Sequence, residues 1–431
     1  MPMFEQHPLR QSLSDEVHAR PPVALDTPEF VTYLAFVHHE GSAEREAEHL
    51  KALADQLGLP DLTTCSGHLL LETAGFRLKW ERHNEFSSYC FFRRMEPTDA
   101  DDDYALLHVP AAWRKGIPGQ LIAATHIELR SVAEVPPETV LHQQSARGQA
   151  LVASKVADGA GWVLTDFHLH DGFSHFLVLD DGLTPRQAGR IAQRLVEIET
   201  YRVMALLAFP VAKQVGRLLS RAEDELADLM DGMGYARSAE DDRAVLGRLS
   251  RLAAEVERSV AHTTFRFGAA NAYYRLVQQR IEDLREQRLP GFSPIAEFMD
   301  RRLVPAIETC TTIARRQDDL SARIARNSQL LRTRVDVEIE RQNQELLAQM
   351  NRRAKIQLHL QETVEGLSVV AITYYASQLV NYVAKGAKHL IEPLTPEVLT
   401  AASIPVIAGF VYMGLRRMRK LLGKEEGDAH Q

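Results

Sequence analysis

The chain has 431 residues, 50 Lys and Arg against 58 Asp and Glu for a formal net charge of −8, with 45% hydrophobic and 25% charged residues. That length supplies several modules and a sizeable core, and the composition excludes a disordered or collagen-like polymer. The acidic balance, with a pI near 6.1, argues against a nucleic-acid partner, because no basic excess exists to displace phosphate counterions. Cys65, Cys90 and Cys310 are widely spaced and form no CxxC, which excludes a disulfide scaffold or zinc ribbon and fits a reducing cytosol.

Residues Met1–Arg10 carry no apolar run, so no signal peptide is expected. Residues 1–184 read as a cytoplasmic α/β domain. Phe30–His38 has strand composition, and Ser42–Leu57 reads as a helix capped by Ser42 and stopped at Gly58-Leu-Pro60. His68–Thr73, Phe76–His83 and Ser88–Arg93 follow as strands separated by short turns. A helical stretch near Tyr104–Lys115, a strand at Leu121–Leu129, a short helix near Pro137–Ser145 and a strand at Ala150–Val156 come next. Helices and strands alternate without a βαβ rhythm, so an α+β fold with a mixed or antiparallel sheet is expected.

Asp171-Gly172 lies between alternating residues in Trp162–Leu179, a hairpin signal with a two-residue turn. That register pairs His170 with Phe173, His168 with His175 and Asp166 with Leu177. It puts Val163, Phe167, Leu169, Phe176 and Val178 on the core face, and Asp166, His168, His170 and His175 on the other. Three imidazoles and a carboxylate could bind a divalent transition metal; a polar face hydrogen-bonded to a covering helix or solvent explains them more simply. On the strand Trp80–Phe86, Glu81, His83 and Glu85 share one face if the strand is regular, an acid/base or ligand-contact pattern that a solvated sheet face also produces. Within Asp15–Pro21, His18 and Arg20 suit an anion or tie down the N-terminal arm. Nucleotide, hydrolase and zincin signatures are absent.

From Thr184-Pro185 the pattern turns helical. Helices are expected at about 185–231 and 240–289, within a helical domain of 185–294, and Pro290–Pro294 is a breaker. A further helix starts near Ile295, with Pro305 as an interruption. After Pro305 no Pro or Gly occurs until Gly366, so 295–365 reads as a long stalk helix. Its seam, Ile313, Gln317, Leu320, Ile324, Asn327, Leu331, Val335, Ile339, Gln342, Leu346 and Met350, steps by four and three. The repeated fours favour a nearly straight or right-handed stalk over a long left-handed coiled coil. Continued into the next segment, this helix would run roughly 70 residues, about 105 Å.

Two uncharged stretches follow, 366–384 and 398–415, each of the length that crosses a bilayer. They predict a two-helix transmembrane hairpin. Arg352, Arg353 and Lys355 precede it, and the basic tail 416–431 begins with Arg416, Arg417, Arg419 and Lys420. The positive-inside rule then puts both termini in the cytoplasm and makes the protein a multi-pass resident of the inner membrane, with Lys385 and Lys388 in the link opposing that asymmetry. Tyr374, Gln378 and Asn381 form a polar stripe in the first span, which suits an oligomer seam, a contact with the second span, or a pore. In the second, Ala401, Pro405 and Gly409 make a small-residue ridge.

Four runs, DEVHARPP at Asp15–Pro22, WERHNEFSSY at Trp80–Tyr89, TDFHLHDGFSHFLV at Thr165–Val178 and VEGLSVVAITYY at Val364–Tyr375, resemble a mainly proteobacterial family labelled only as uncharacterised membrane-anchored proteins. The resemblance implies a location and transfers no catalytic residue. The layout also resembles CorA-type magnesium channels, which carry Gly-Met-Asn where this chain has Asn381-Tyr-Val-Ala-Lys385; that likeness implies topology and a tendency to oligomerise. The expected function is therefore a non-enzymatic, homo-oligomeric membrane protein whose cytoplasmic domain binds a ligand or partner and is coupled by the stalk to the bilayer. An ion channel or transporter using the Tyr374/Gln378/Asn381 stripe, and a metal-dependent enzyme using the His-rich hairpin, are the alternatives.

Overall fold

A computed structural model describes residues 4, 7–10, 13–14, 21–38, 41–59, 67–97, 99, 103–146, 151–235, 239–386 and 395–428. His18, Arg20 and Cys65 lie outside the described residues, as do 387–394 between the two uncharged stretches. The chain divides into two compact units, Met1–Ala236 with Ala244–Ser328, and Arg237–Arg243 with Gln329–Gln431.

The first unit is built on a ten-stranded mixed sheet. Its strands are β1 (Glu29–Val37), β2 (His68–Glu72), β3 (Arg77–Arg82), β4 (Phe86–Arg94), β5 (Gln120–Ser131), β6 (Val152–Val156), β7 (Gly161–Thr165), β8 (Leu169–His170), β9 (Phe173–Asp180) and β10 (Gln287–Arg288). The order is β10-β6-β7-β9-β5-β1-β4-β3-β2, with β8 paired to β9. Every pairing is antiparallel except β5 with β9, which runs parallel with His126 opposite His175.

Both faces are covered. On one, α1 (Ser42–Gln56) and α2 (Ala111–Lys115) enclose a core of Leu34, Leu50, Leu53, Leu78, Trp80, Tyr89, Phe91 and Trp113. Toward the opposite end of the same face, Ala153, Trp162, Leu164 and Leu179 pack with Val140 and Leu141 of α3 (Pro137–Ala146). Ser42 does not cap α1. Gly41, in the left-handed region at φ 73°, holds the N-cap, and Ser42 Oγ instead accepts from Arg82 Nη2 at 3.2 Å. Glu46 of α1 is buried and receives Arg82 Nη1 at 2.9 Å and Ser87 Oγ at 2.5 Å. A carboxylate so enclosed is tolerated because its oxygens are met by a guanidinium and a hydroxyl.

The other face carries α4 (Pro185–Leu206), whose Thr184 cap and Gln187 form a capping box. Ile191, Leu195, Ile198 and Met204 of α4 are fully buried, each worth about 2 kcal/mol of apolar transfer. Glu199 is buried among them and accepts Ser174 Oγ of β9 at 2.7 Å and Arg202 Nε at 3.0 Å. Gly189 lies against the segment before β1, and a Cβ there would sit 1.9 Å from the Val23 carbonyl oxygen. Leu25 N–H, donating to Pro185 O at 3.0 Å, closes the same seam.

Beyond the sheet come α5 (Ala208–Tyr235), α6 (Ala239–Leu284), α7 (Ile295–Arg302), α8 (Val304–Gly386) and α9 (Pro396–Asp428). The expected single helix over 185–231 is broken at Leu207, and the helix starting near Ile295 is broken at Leu303. Each break comes just ahead of a proline, Pro210 or Pro305. A proline fits the first helical turn, where its missing N–H would be unbonded anyway, and not the interior of a continuous helix. The helix expected to stop near Asp231 instead runs on to Tyr235.

The seam of α8 divides. Ile313, Gln317, Leu320 and Ile324 are buried in the first unit, where Gln317 bonds Thr263 and Ser259 of α6 and Arg316 bonds Glu223 of α5. In the second unit Leu331 and Val335 are buried, and Arg334 meets Asp242 at 3.2 Å. Over 341–364 every side chain is exposed.

One helix among the described residues, Pro396–Arg417, is long and apolar enough to cross a membrane, with a mean hydropathy of 1.9 and none of that window buried. The 366–384 stretch is helical within α8, but Tyr374, Tyr375, Gln378, Asn381 and Tyr382 dilute its apolarity. Its inward face is carried by Thr373, Ser377 and Ala384. Tyr374 is 59% exposed, and Gln378 and Asn381 are intermediate. On α9, Ala401, Pro405 and Gly409 lie on the exposed side, whereas Leu399, Ser403, Ile407, Val411 and Leu415 are half-buried.

Gly189→Ala is expected to destabilise the first unit by about 3 kcal/mol or more, because the methyl group displaces main chain rather than a side chain. Urea unfolding followed by tryptophan fluorescence measures it, since Trp80, Trp113 and Trp162 all lie in this unit.

Candidate functional site

The Asp-Gly hairpin forms with the expected turn: His170 lies opposite Phe173 and Leu169 opposite Ser174. The register then slips by two residues, because Leu164, not Asp166, lies opposite Leu177. Side chains in the intervening bulge cause the slip. Thr165 Oγ accepts the Phe167 N–H at 3.2 Å, and Asp166 Oδ1 accepts the His168 N–H at 2.9 Å. Phe167 takes a left-handed φ of 53°. Local bonds of this kind compete with the strand ladder.

The slip redistributes the expected faces. Val163, Phe176 and Val178 are buried as expected, and so is Phe167, but Leu169 is 67% exposed. Asp166 Oδ2 meets His170 Nε2 at 2.7 Å and stands 4.0 Å from His168 Nδ1. The His175 ring meets that of His170 edge-on, with centroids 5.8 Å apart, and directs its Nδ1 to the Tyr104 hydroxyl at 3.4 Å. Among the described residues no group of three or more His, Cys, Asp or Glu side chains is arranged to hold a metal ion. Burial pushes the Asp166 carboxyl up, but the His168 N–H and the His170 ring outweigh it and hold it below the ordinary carboxylate range.

Glu81, His83 and Glu85 are not brought together. Glu81 pairs with Lys79 at 3.0 Å. His83 sits in the β3–β4 turn, stacked on Phe86. Glu85 receives a two-pronged guanidinium contact from Arg266 of α6, at 2.9 and 3.1 Å. Only the Glu85–Arg266 contact ties the sheet to a helix; the other two lie within the β3–β4 hairpin.

Between the two apolar clusters of the first sheet face lies a polar and aromatic strip over the parallel pair β5–β9. His126 is sandwiched between Tyr104 and Phe173, with ring centroids 3.7 and 4.0 Å away. Its Nδ1 lies 2.9 Å from Thr32 Oγ. Its ring centre is 5.3 Å from that of His175. The Tyr104 hydroxyl donates to Glu128 Oε1 at 3.2 Å. Burial, and then the His175 charge, push the His126 pKa down to about 3, and burial with His170 lowers that of His175. His126 is therefore a neutral ring at physiological pH. Sequence reasoning missed it; a single imidazole inside the apolar run Leu121–Leu129 is the signal that marks it.

Fold and site together define a mixed-sheet α+β protein with long C-terminal helices and an imidazole-rich hairpin. The chain matches the family described as "Protein of unknown function (DUF3422)" over residues 5–422, and belongs to it. No curated protein matches it.

The His126 pKa, about 3 in the fold against 6.5 ordinarily, fixes the sign of a pH effect. Below about 6.5 the unfolded chain binds a proton that the folded one refuses, so this group's stabilisation is whole above that pH and falls as acid is added. Its contribution changes by about 1.4 kcal/mol per pH unit. Replacing His126 with Gln is expected to flatten the loss of stability between pH 6.5 and 5 by that amount. Urea midpoints of both proteins across this range measure it, and identical acid slopes would contradict it.

Proposed function

We propose that this is a non-enzymatic, membrane-anchored protein whose sheet-bearing unit binds a ligand or partner in the cytoplasm and whose helix α8 passes that event to the bilayer. The observation that carries this reading is the continuity of α8, 83 residues from Val304 to Gly386. One end of it is packed among buried residues of the first unit, and the other is an uncharged stretch.

In this reading the helix at Pro396–Arg417 is one span and 366–384 the other, forming the hairpin. A cavity of about 250 Å³ lined by Glu362, Glu365, Gly366 and Val369 together with Tyr412, Leu415 and Arg416 supports an antiparallel pair, the start of one span beside the end of the other. Thr373 and Ser377, turned inward, are small residues of the kind that let two spans approach closely. The basic residues at 352–355 and 416–420 favour, by the positive-inside rule, both termini on the inner side of a bacterial cytoplasmic membrane. Ile339, Leu346, Met350, Leu360, Val364 and Leu367 are exposed and keep a spacing of seven with Asn343, Arg353 and Gln357 between them. Such a stripe supports self-association of α8 in a homo-oligomer.

Single cysteines introduced as His389→Cys and Glu425→Cys, with the native cysteines replaced, test the topology. The first is expected to react with an impermeant thiol reagent from outside the cell, and the second only after the membrane is opened. Equal reactivity from one side, or release of the protein by alkaline carbonate, would contradict it.

A further inference from the structure

Proline breaks end α4 at Leu206 and α7 at Arg302, and a cavity of about 220 Å³ opens where the two breaks meet the hairpin bulge. Its apolar wall is Phe167, Leu206, Phe298, Met299 and Leu303. Phe167 and Phe298 are stacked with ring centres 4.6 Å apart. A guanidinium sits over each ring, Arg202 5.6 Å from Phe167 and Arg302 5.5 Å from Phe298. Asp166 and His168 complete the lining.

The charges in this cavity are unequal in their commitments. Arg202 is held by the buried Glu199 through two bonds. Asp166 is held by the His168 N–H and the His170 ring. Arg302 makes no ion pair among the described residues; its neighbour Arg301 takes Glu297 instead. An uncompensated guanidinium at the rim of an apolar pocket attracts an anion and forms directed bonds to a carboxylate. The pocket behind it is large enough for one aromatic ring, since a cavity of about 150 Å³ accepts benzene.

We propose that this cavity binds a small organic anion: one carboxylate on an apolar, ring-sized body, with the carboxylate on Arg302 beside His168 and the body against Phe298, Met299 and Leu303. The proposal rests on the reading of the first unit as a binding module and supplies the ligand class that reading leaves open. It also places the ligand against Leu303, the residue before α8 begins, so that occupancy bears on the root of that helix.

Isothermal titration of the full chain in nonionic detergent tests it, with benzoate, its uncharged analogue benzamide, and inorganic phosphate as probes. Benzoate is expected to bind one per chain, at least tenfold more tightly than either of the others. Arg302→Gln should weaken benzoate at least tenfold and leave benzamide unchanged, and Arg302→Lys should restore part of the loss. His168→Ala, at another exposed position, should weaken benzoate by a smaller factor. No benzoate binding at millimolar concentration, equal binding of benzoate and benzamide, equal binding of phosphate, or an Arg302→Gln protein that binds as the wild type does would each overturn it. Carbonate extraction of the same preparations separates the two claims. A membrane-retained protein that fails to bind benzoate sinks the ligand assignment alone, whereas a protein washed from the membrane sinks the anchoring reading.

Discussion

The backbone hydrogen-bond ladder of α8 is the constraint on which the rest depends. Between Pro305 and Gly366 no residue removes an N–H or relaxes the backbone, so nothing in the chain offers the helix a place to stop. The break at Leu303 is what frees it to start there, because Pro305 is acceptable only in a first turn. Where 341–364 is exposed throughout, packing among the described residues contributes little. The helix is then held by propensity and by side-chain pairs along it, such as Arg341 with Glu338 and Glu345, which solvent screening keeps weak. A long helix so weakly supported would gain most from lateral partners, as in the self-association proposed above.

In the first unit the sheet is held by buried and half-buried ionic residues rather than by apolar contact alone. Glu46 fixes α1 to β3 and β4, Glu199 fixes α4 to β9, and Glu85 fixes the β3–β4 turn to α6. Breaking any one of them would leave a charge enclosed without its partner, which is costlier than the pair is valuable. The same logic explains the strip over β5 and β9. Two apolar clusters stop short of each other there, and the gap is filled by stacked rings whose imidazoles stay neutral.

The sequence made much of this legible where the governing interaction is local. Strand composition located β1, β3, β4 and β5 to within a few residues, and Asp171-Gly172 set the hairpin turn. Thr184-Pro185 marked the start of α4. What was hidden depends on contacts that composition does not encode. The two-residue slip after His168 is produced by the Thr165 and Asp166 side chains bonding their own backbone, so the four residues expected on one face are split. The seam of α8 looked uniform from Ile313 to Met350, yet only its first part meets α5 and α6, because the length of those helices decides where burial ends. The 366–384 stretch is uncharged, but its tyrosines and amides make it less apolar than Pro396–Arg417. Arg302 gave no signal at all, since its significance comes from Arg301 taking the nearby carboxylate.

The central claim is that α8 stays helical through 341–364, the stretch that no other described residue buries. Spin labels at the exposed positions Val337 and Leu358, read by pulsed electron resonance on the full chain in detergent, test it most directly. An unbroken helix predicts one narrow distance distribution centred near about 30 Å, at about 1.5 Å per residue. A broad distribution, or a centre far shorter than that, would mean the helix melts or folds back between the two labels, and the route from the pocket to the uncharged segment would be lost.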